Sequence, residues 1–131
     1  MILNDWRFKI TIEDEDNISL EEVISICSKT RNNEIEIKHD NLLNKKTADF
    51  IEKNGLTLEY IKDEIRQLKK EDYHSGPLED RNPLNKHPLW VFIKHIKSVV
   101  VLVYIKIKII NHKKKIIVYS FHEEGMHDET K

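Results

Sequence analysis

The sequence predicts a small α+β domain whose antiparallel sheet ends in a three-stranded meander, with helices packed on one face. Three observations predict it. Apolar residues recur at helical spacing through the first half of the chain, as in Leu20, Val23, Ile24 and Cys27. They alternate with polar residues through the second half, as in Val103, Ile105, Ile107 and Ile109 against Tyr104, Lys106 and Lys108. The strand-like runs are separated by short turns, and short connections between consecutive strands mean antiparallel pairing.

In chain order, Trp6, Phe8, Ile10 and Ile12 alternate strictly and predict a half-buried strand. An acidic turn follows, then Ser19-Leu20-Glu21-Glu22, a capping box that opens a helix ending near Lys29. Asn32-Asn33 mark a turn before a short alternating segment at Ile35 and Ile37. Asp40 is expected to cap a second helix through Leu42, Leu43, Ala48, Phe50 and Ile51, closed at Asn54-Gly55. Thr57 caps a third, carrying Leu58, Ile61, Ile65 and Leu68, with Lys62, Asp63, Glu64, Arg66 and Lys69 as its solvated face.

Between Glu71 and Pro88 the chain holds two of its three prolines and reads as the longest irregular stretch. Three strands are then expected over Leu89–Ile96, Val99–Ile110 and Lys115–Glu123, with Val99–Ile110 central. On the last, Ile117, Tyr119 and Phe121 form the more apolar set. A connecting loop of odd length would put Tyr104, Lys106, Ser120 and His122 on one open face, and an even loop would turn His122 inward. The apolar match that normally decides register favours the shared face.

At 131 residues the chain fits one domain, spanning 1–131, with an added strand and acidic turn over 1–19 and a flexible tail over 125–131. Its composition, 39% hydrophobic and 34% charged, excludes a disordered chain. No run reaches the roughly 18 apolar residues of a membrane helix. No secretory signal opens the sequence, and lone Cys27 cannot form an internal disulfide, so a cytoplasmic protein with no membrane partner is expected. Cys27 sits among aliphatic neighbours and reads as a buried thiol, not a nucleophile.

The formal net charge of −1 hides a division. Residues 13–22 hold six acids and no base, whereas residues 86–115 hold eight lysines and no acid. A local basic field of that kind attracts phosphate whatever the total charge. No His, Cys or Asp cluster has metal-ligand spacing, no glycine-rich phosphate loop occurs, and neither metal nor cofactor is expected. A Tyr, a His and two Lys on one sheet face, beside a loop carrying His74, nevertheless suffice for cleaving RNA. That reaction needs a base for the 2′-hydroxyl, an acid for the departing 5′-oxygen, and cations around the phosphorane-like transition state.

From Ile65 to Glu123 the sequence resembles the MqsR family of toxins, the ribonuclease halves of bacterial toxin–antitoxin pairs. The likeness is carried by Leu68, Glu71-Asp72-Tyr73-His74-Ser75, Leu89-Trp90, Val103-Tyr104-Ile105-Lys106-Ile107 and Ser120-Phe121-His122-Glu123. More loosely it covers about residues 20–124. It implies a RelE-like fold, metal-independent cleavage of messenger RNA and neutralisation by a cognate antitoxin protein. The family's active-site Lys after the Asp-aromatic pair falls on His74, its Tyr on Tyr104 and its Lys after Ser-Phe on His122. Its Gln after Trp falls on Val91.

The expected catalytic set is therefore His74, Tyr104 and His122, one histidine as base and the other as acid. Lys94, Lys106 and Lys108 are expected to bind the phosphate backbone. The alternative is a non-catalytic RNA-binding or protein-interaction protein with the same fold.

Overall fold

The computed structural model describes residues 18–80, 87–110 and 113–125. The strand expected at Trp6–Ile12, most of the acidic turn, the Arg81–Lys86 part of the irregular stretch and residues 126–131 of the tail lie outside these residues. The order is α1 (Leu20–Lys29), β1 (Ile35–Ile37), α2 (Lys45–Lys53), α3 (Leu58–Arg66), β2 (Tyr73–Leu78), β3 (Leu89–His95), β4 (Leu102–Ile110) and β5 (Lys115–Glu123). Among the described residues, three α-helices and a five-stranded mixed sheet make an α+β fold, consistent with the RelE-like architecture.

Local sequence explains where the helices begin. The Ser19 hydroxyl accepts from Glu22 N–H, and the Glu22 carboxylate accepts from Ser19 N–H at 2.9 Å, so two orphan donors at the start of α1 are satisfied reciprocally. The Thr57 hydroxyl accepts from Tyr60 N–H to start α3. Gly55, at φ 61, takes the left-handed conformation that ends α2.

One helix starts later than expected. The Asp40 carboxylate accepts from Leu42 and Leu43 N–H, which holds it below the ordinary aspartate range, but it closes only an isolated turn. Asn44 then leaves helical geometry and α2 begins at Lys45. Leu42 and Leu43 consequently stand in solvent instead of extending an apolar stripe.

The sheet order is β1-β5-β4-β3-β2, with β4 in the centre. β2 to β5 pair antiparallel, and β1 adds to β5 in parallel, Ile35 beside Ile116 and Ile37 beside Val118. The stretch after Glu71 is thus less irregular than its composition predicts. Residues 73–78 form the edge strand β2, which approaches β3 so closely that a Cβ on Gly76 would lie 2.9 Å from the Leu89 carbonyl oxygen. Gly76 also has φ 129, so two constraints require glycine there.

The core lies on one sheet face. Val103, Ile105, Ile107 and Ile109 of β4 meet Trp90 and Phe92 of β3 and Ile116, Val118 and Phe121 of β5. Val23 and Cys27 of α1, Phe50 of α2 and Ile61 and Ile65 of α3 join the same cluster. Burial pushes the Cys27 thiol up to about 12, so the neutral thiol fills space in the core.

Four residues, an even number, separate β4 from β5. The pairs next to it are Ile107 with Val118 and Ile109 with Ile116, so these β5 residues face the core and Ile117 does not. Beyond them the register shifts. Lys106 pairs with Ser120, Ile105 with Phe121 and Tyr104 with His122, leaving Tyr119 as the extra residue of a β-bulge. The bulge reverses the facing of β5 midway. Phe121 turns into the core, and His122 comes to the face of Tyr104 despite the even turn. The expected shared face forms, but the apolar set is Ile116, Val118 and Phe121, not Ile117, Tyr119 and Phe121.

Candidate active site

Tyr104 on β4 and His122 on β5 are direct register partners, and their rings stack with centroids 5.3 Å apart and planes inclined by 22°. Lys106 and Ser120 form the next pair on the same face. All four line a cleft of about 820 Å3 whose far wall is the segment from Leu42 to Asp49, with Leu78 to Asp80 at its rim. The face is less open than its polarity predicts, since Tyr104 is only 7% and His122 5% exposed. The His122 Nδ1 lies 3.0 Å from the Glu123 carbonyl oxygen. A carbonyl can only accept, so the neutral ring keeps its proton on Nδ1 and its lone pair on Nε2.

The other expected site residues are placed elsewhere. His74 lies on β2, exposed, with Nδ1 3.1 Å from the Ser75 hydroxyl. Strands β3 and β4 stand between it and β5, so the backbones carrying the two histidines are roughly 14 Å apart at ordinary strand spacing. Lys94 pairs with Val103 in register and so belongs to the core face, where its ammonium meets Glu64 of α3 at 2.8 Å. Both side chains are about nine-tenths buried. Glu64, expected on a solvated helix face, is therefore the counter-ion of Lys94, and Lys94 is not on the face of Tyr104 and His122.

Lys108 is on that face but only 2% exposed. Its ammonium donates to Asp80 at 2.7 Å and sits 5.5 Å from the centre of the Tyr119 ring. It fastens the end of the β2 region to the sheet. Val91 lies opposite Lys106 in register, buried, so an aliphatic side chain occupies that part of the face.

Sequence reasoning missed the helical wall. Lys45, Lys46 and Thr47 of α2 line the cleft. Thr47, 2% exposed, accepts a hydrogen bond from Phe121 N–H at 3.0 Å. A signal was present, because two lysines followed by a β-branched hydroxyl residue are odd at the start of an amphipathic helix. Their partner on β5 was invisible without the tertiary arrangement. Among the described residues no group of three or more His, Cys, Asp or Glu side chains is gathered as a metal site.

A family model described as motility quorum-sensing regulator, toxin of MqsA, matches residues 18–123, more than half of the chain. Neither a curated protein nor a solved structure matches it. The matched span runs from the cap of α1 to the end of β5 and contains the whole described sheet and the cleft. The chain belongs to the MqsR toxin family.

Proposed function

We propose that this toxin is an endoribonuclease that cuts messenger RNA without a metal ion, and that a cognate antitoxin protein neutralises it. The observation that carries the reading is the stacked Tyr104–His122 pair beside Lys106 in one cleft. In the proposed reaction His122 Nε2 takes the proton of the 2′-hydroxyl, whose oxygen attacks the adjacent phosphorus. The Lys106 ammonium neutralises charge on the phosphorane-like transition state and gives a proton to the departing 5′-oxygen. The products are a 2′,3′-cyclic phosphate and a 5′-hydroxyl. Tyr104 holds the imidazole ring plane and orients the phosphate. His74, on the edge strand, serves a more distant part of the RNA instead of the scissile phosphate.

Val91 favours a second reading, an RNA-binding protein that does not cut. Incubation of the protein with defined single-stranded RNA and excess chelator separates the two. Chelator-resistant cutting that falls by about two to four orders of magnitude in His122→Ala, with RNA affinity retained, supports the first. Binding without cutting supports the second, and neither binding nor cutting leaves a protein-interaction role. A folded His122→Ala protein that cuts at the parent rate removes His122 from the mechanism.

A further inference from the structure

His122 reaches the cleft only because β5 changes phase at Tyr119, and the same strand has a second way to lie against β4. If β5 kept the register of its first half throughout, Tyr104 would pair with Phe121 and Val103 with His122. The imidazole would then turn into the core and the phenyl ring into the cleft. A slip of one residue is enough, since it exchanges the two faces of a strand segment. Burial of the Phe121 ring favours the observed register. A second discriminator lies outside the sheet, on α2.

Backbone groups alternate in direction along a strand. Val118 turns its carbonyl away from β4, where it accepts from Lys38 N–H. Unbroken alternation from there would turn the Phe121 N–H toward β4. The bulge inverts the alternation, and that N–H points outward instead, to the Thr47 hydroxyl at 3.0 Å. Among the described residues β1 ends at Ile37, and no strand flanks β5 this far along. An N–H buried there needs an acceptor, and Thr47, 2% exposed in the first turn of α2, provides it. One helical turn on, the Phe50 ring meets the Phe121 ring with centroids 6.3 Å apart. Two side chains of α2 thus engage one residue of β5, Thr47 its backbone and Phe50 its ring. Both contacts belong to the register that sets His122 beside Tyr104.

We infer that Thr47 is a positioning residue of the proposed active site. Its hydroxyl holds the phase of β5, and through that phase it sets the facing of His122. The kinetic consequence rests on the ribonuclease reading, and the structural consequence rests on the hydrogen bond alone.

The test makes two measurements on the full chain. One is the cutting of a defined single-stranded RNA in excess chelator. The other is the imidazole NMR spectrum, with the His122 signals identified as those missing in His122→Ala. In the parent, stacking on the Tyr104 ring should displace the His122 ring protons to high field. Thr47→Val keeps a similar shape and removes the acceptor. It is expected to lower kcat by about ten- to a hundredfold with KM little changed, as for a misplaced reacting group. The high-field displacement should be lost with it. Thr47→Ser keeps the hydroxyl and should restore both.

A folded Thr47→Val protein with the parent's kcat and His122 signals would overturn the inference, however far its urea midpoint falls, and would leave the ribonuclease reading standing. A lower kcat with unmoved His122 signals would overturn it too, because Thr47 would then act by another route. A parent that cuts no RNA sinks the ribonuclease reading, and the imidazole signals then decide alone whether Thr47 sets the facing of His122. If Thr47→Val does not fold, Thr47→Cys, close in size and only a weak acceptor, is judged by the same two readouts.

Discussion

Glu64 and Lys94 are two residues whose types suggest surface and whose contacts are interior. Each side chain is about 10% exposed and each is the other's counter-ion at 2.8 Å. Pairs of this kind contribute little net stability, because desolvation offsets their attraction, but removing one partner strands a buried charge. Glu64→Ala is expected to cost about 3 kcal/mol, read as a lower urea midpoint with unchanged slope. Replacing both residues by Met should restore most of it. A Glu64→Ala protein as stable as the parent would mean that water reaches Lys94. The contrast with Lys62 is instructive, since its ammonium lies on the exposed surface against the Asn32 carbonyl. Helical periodicity assigned both positions to one solvated face. It misplaced Glu64 because a helix face is a statement about angle, and Lys94 of β3, an interior strand, meets it from the core face of the sheet.

At the scale of elements, the three-residue β1 is held by more than its ladder. Glu36 bridges Lys115 of β5 at 2.8 Å and Lys38 at 2.7 Å. The hydrogen bond from Lys115, then that from Lys38, draws its carboxyl down to about 2 from an ordinary value of 4.5. A depressed carboxylate stabilises the fold above its unfolded pKa, and this stabilisation is lost as pH falls from about 4.5 through about 2. The side chains are a little over a third exposed, so solvent screening limits the effect to under about 1 kcal/mol. Denaturant midpoints of the parent should drop more than those of Glu36→Gln across that window and in parallel above it. Equal losses would show that the pairs are screened out entirely.

The legibility of these elements follows their chemistry. Ser19, Thr57 and Gly55 announced their boundaries because capping is local, needing only a side chain and a backbone three or four residues away. The pairing of β1 with β5 was not legible because it depends on a partner about 80 residues distant, and α2 shortened because Asp40 closes its own turn and Asn44 leaves helical geometry. The facing of β5 was inferred correctly at His122 and incorrectly at Ile117. Alternation assumes a strand without interruption, and Tyr119 interrupts it.

For the molecule as a whole, the run of lysines between residues 86 and 115 sums to a basic field, but the fold divides its members by task. Lys94 and Lys108 are internal ties, Lys115 secures β1, and Lys106 faces the cleft. Charge density along the sequence could not separate these tasks, because it carries no information about which face a residue takes or which acid approaches it. If the protein binds RNA as proposed, the salt dependence of that binding separates them. Lys106→Ala should lower the slope of log affinity against log salt by roughly 0.7, whereas Lys108→Ala should leave the slope unchanged and lower stability, since the buried tie between Lys108 and Asp80 is lost. Equal slope changes in both would place Lys108 on the RNA path. Of the expected catalytic trio, Tyr104 and His122 share the cleft and His74 stands apart. The first two were legible from strand periodicity, and the third depended on where an edge strand lay across the sheet.

The bulge at Tyr119 works as a clutch between the two ends of one hairpin. The turn end answers to the four-residue connection and to β1, while the cleft end answers to Tyr104, Lys106 and Thr47. Because the spare residue sits between them, the two ends need not share a phase. Changes of length near residues 113 and 114, such as a tag, a graft or an altered turn, are therefore expected to leave the Tyr104–His122 pair where it was.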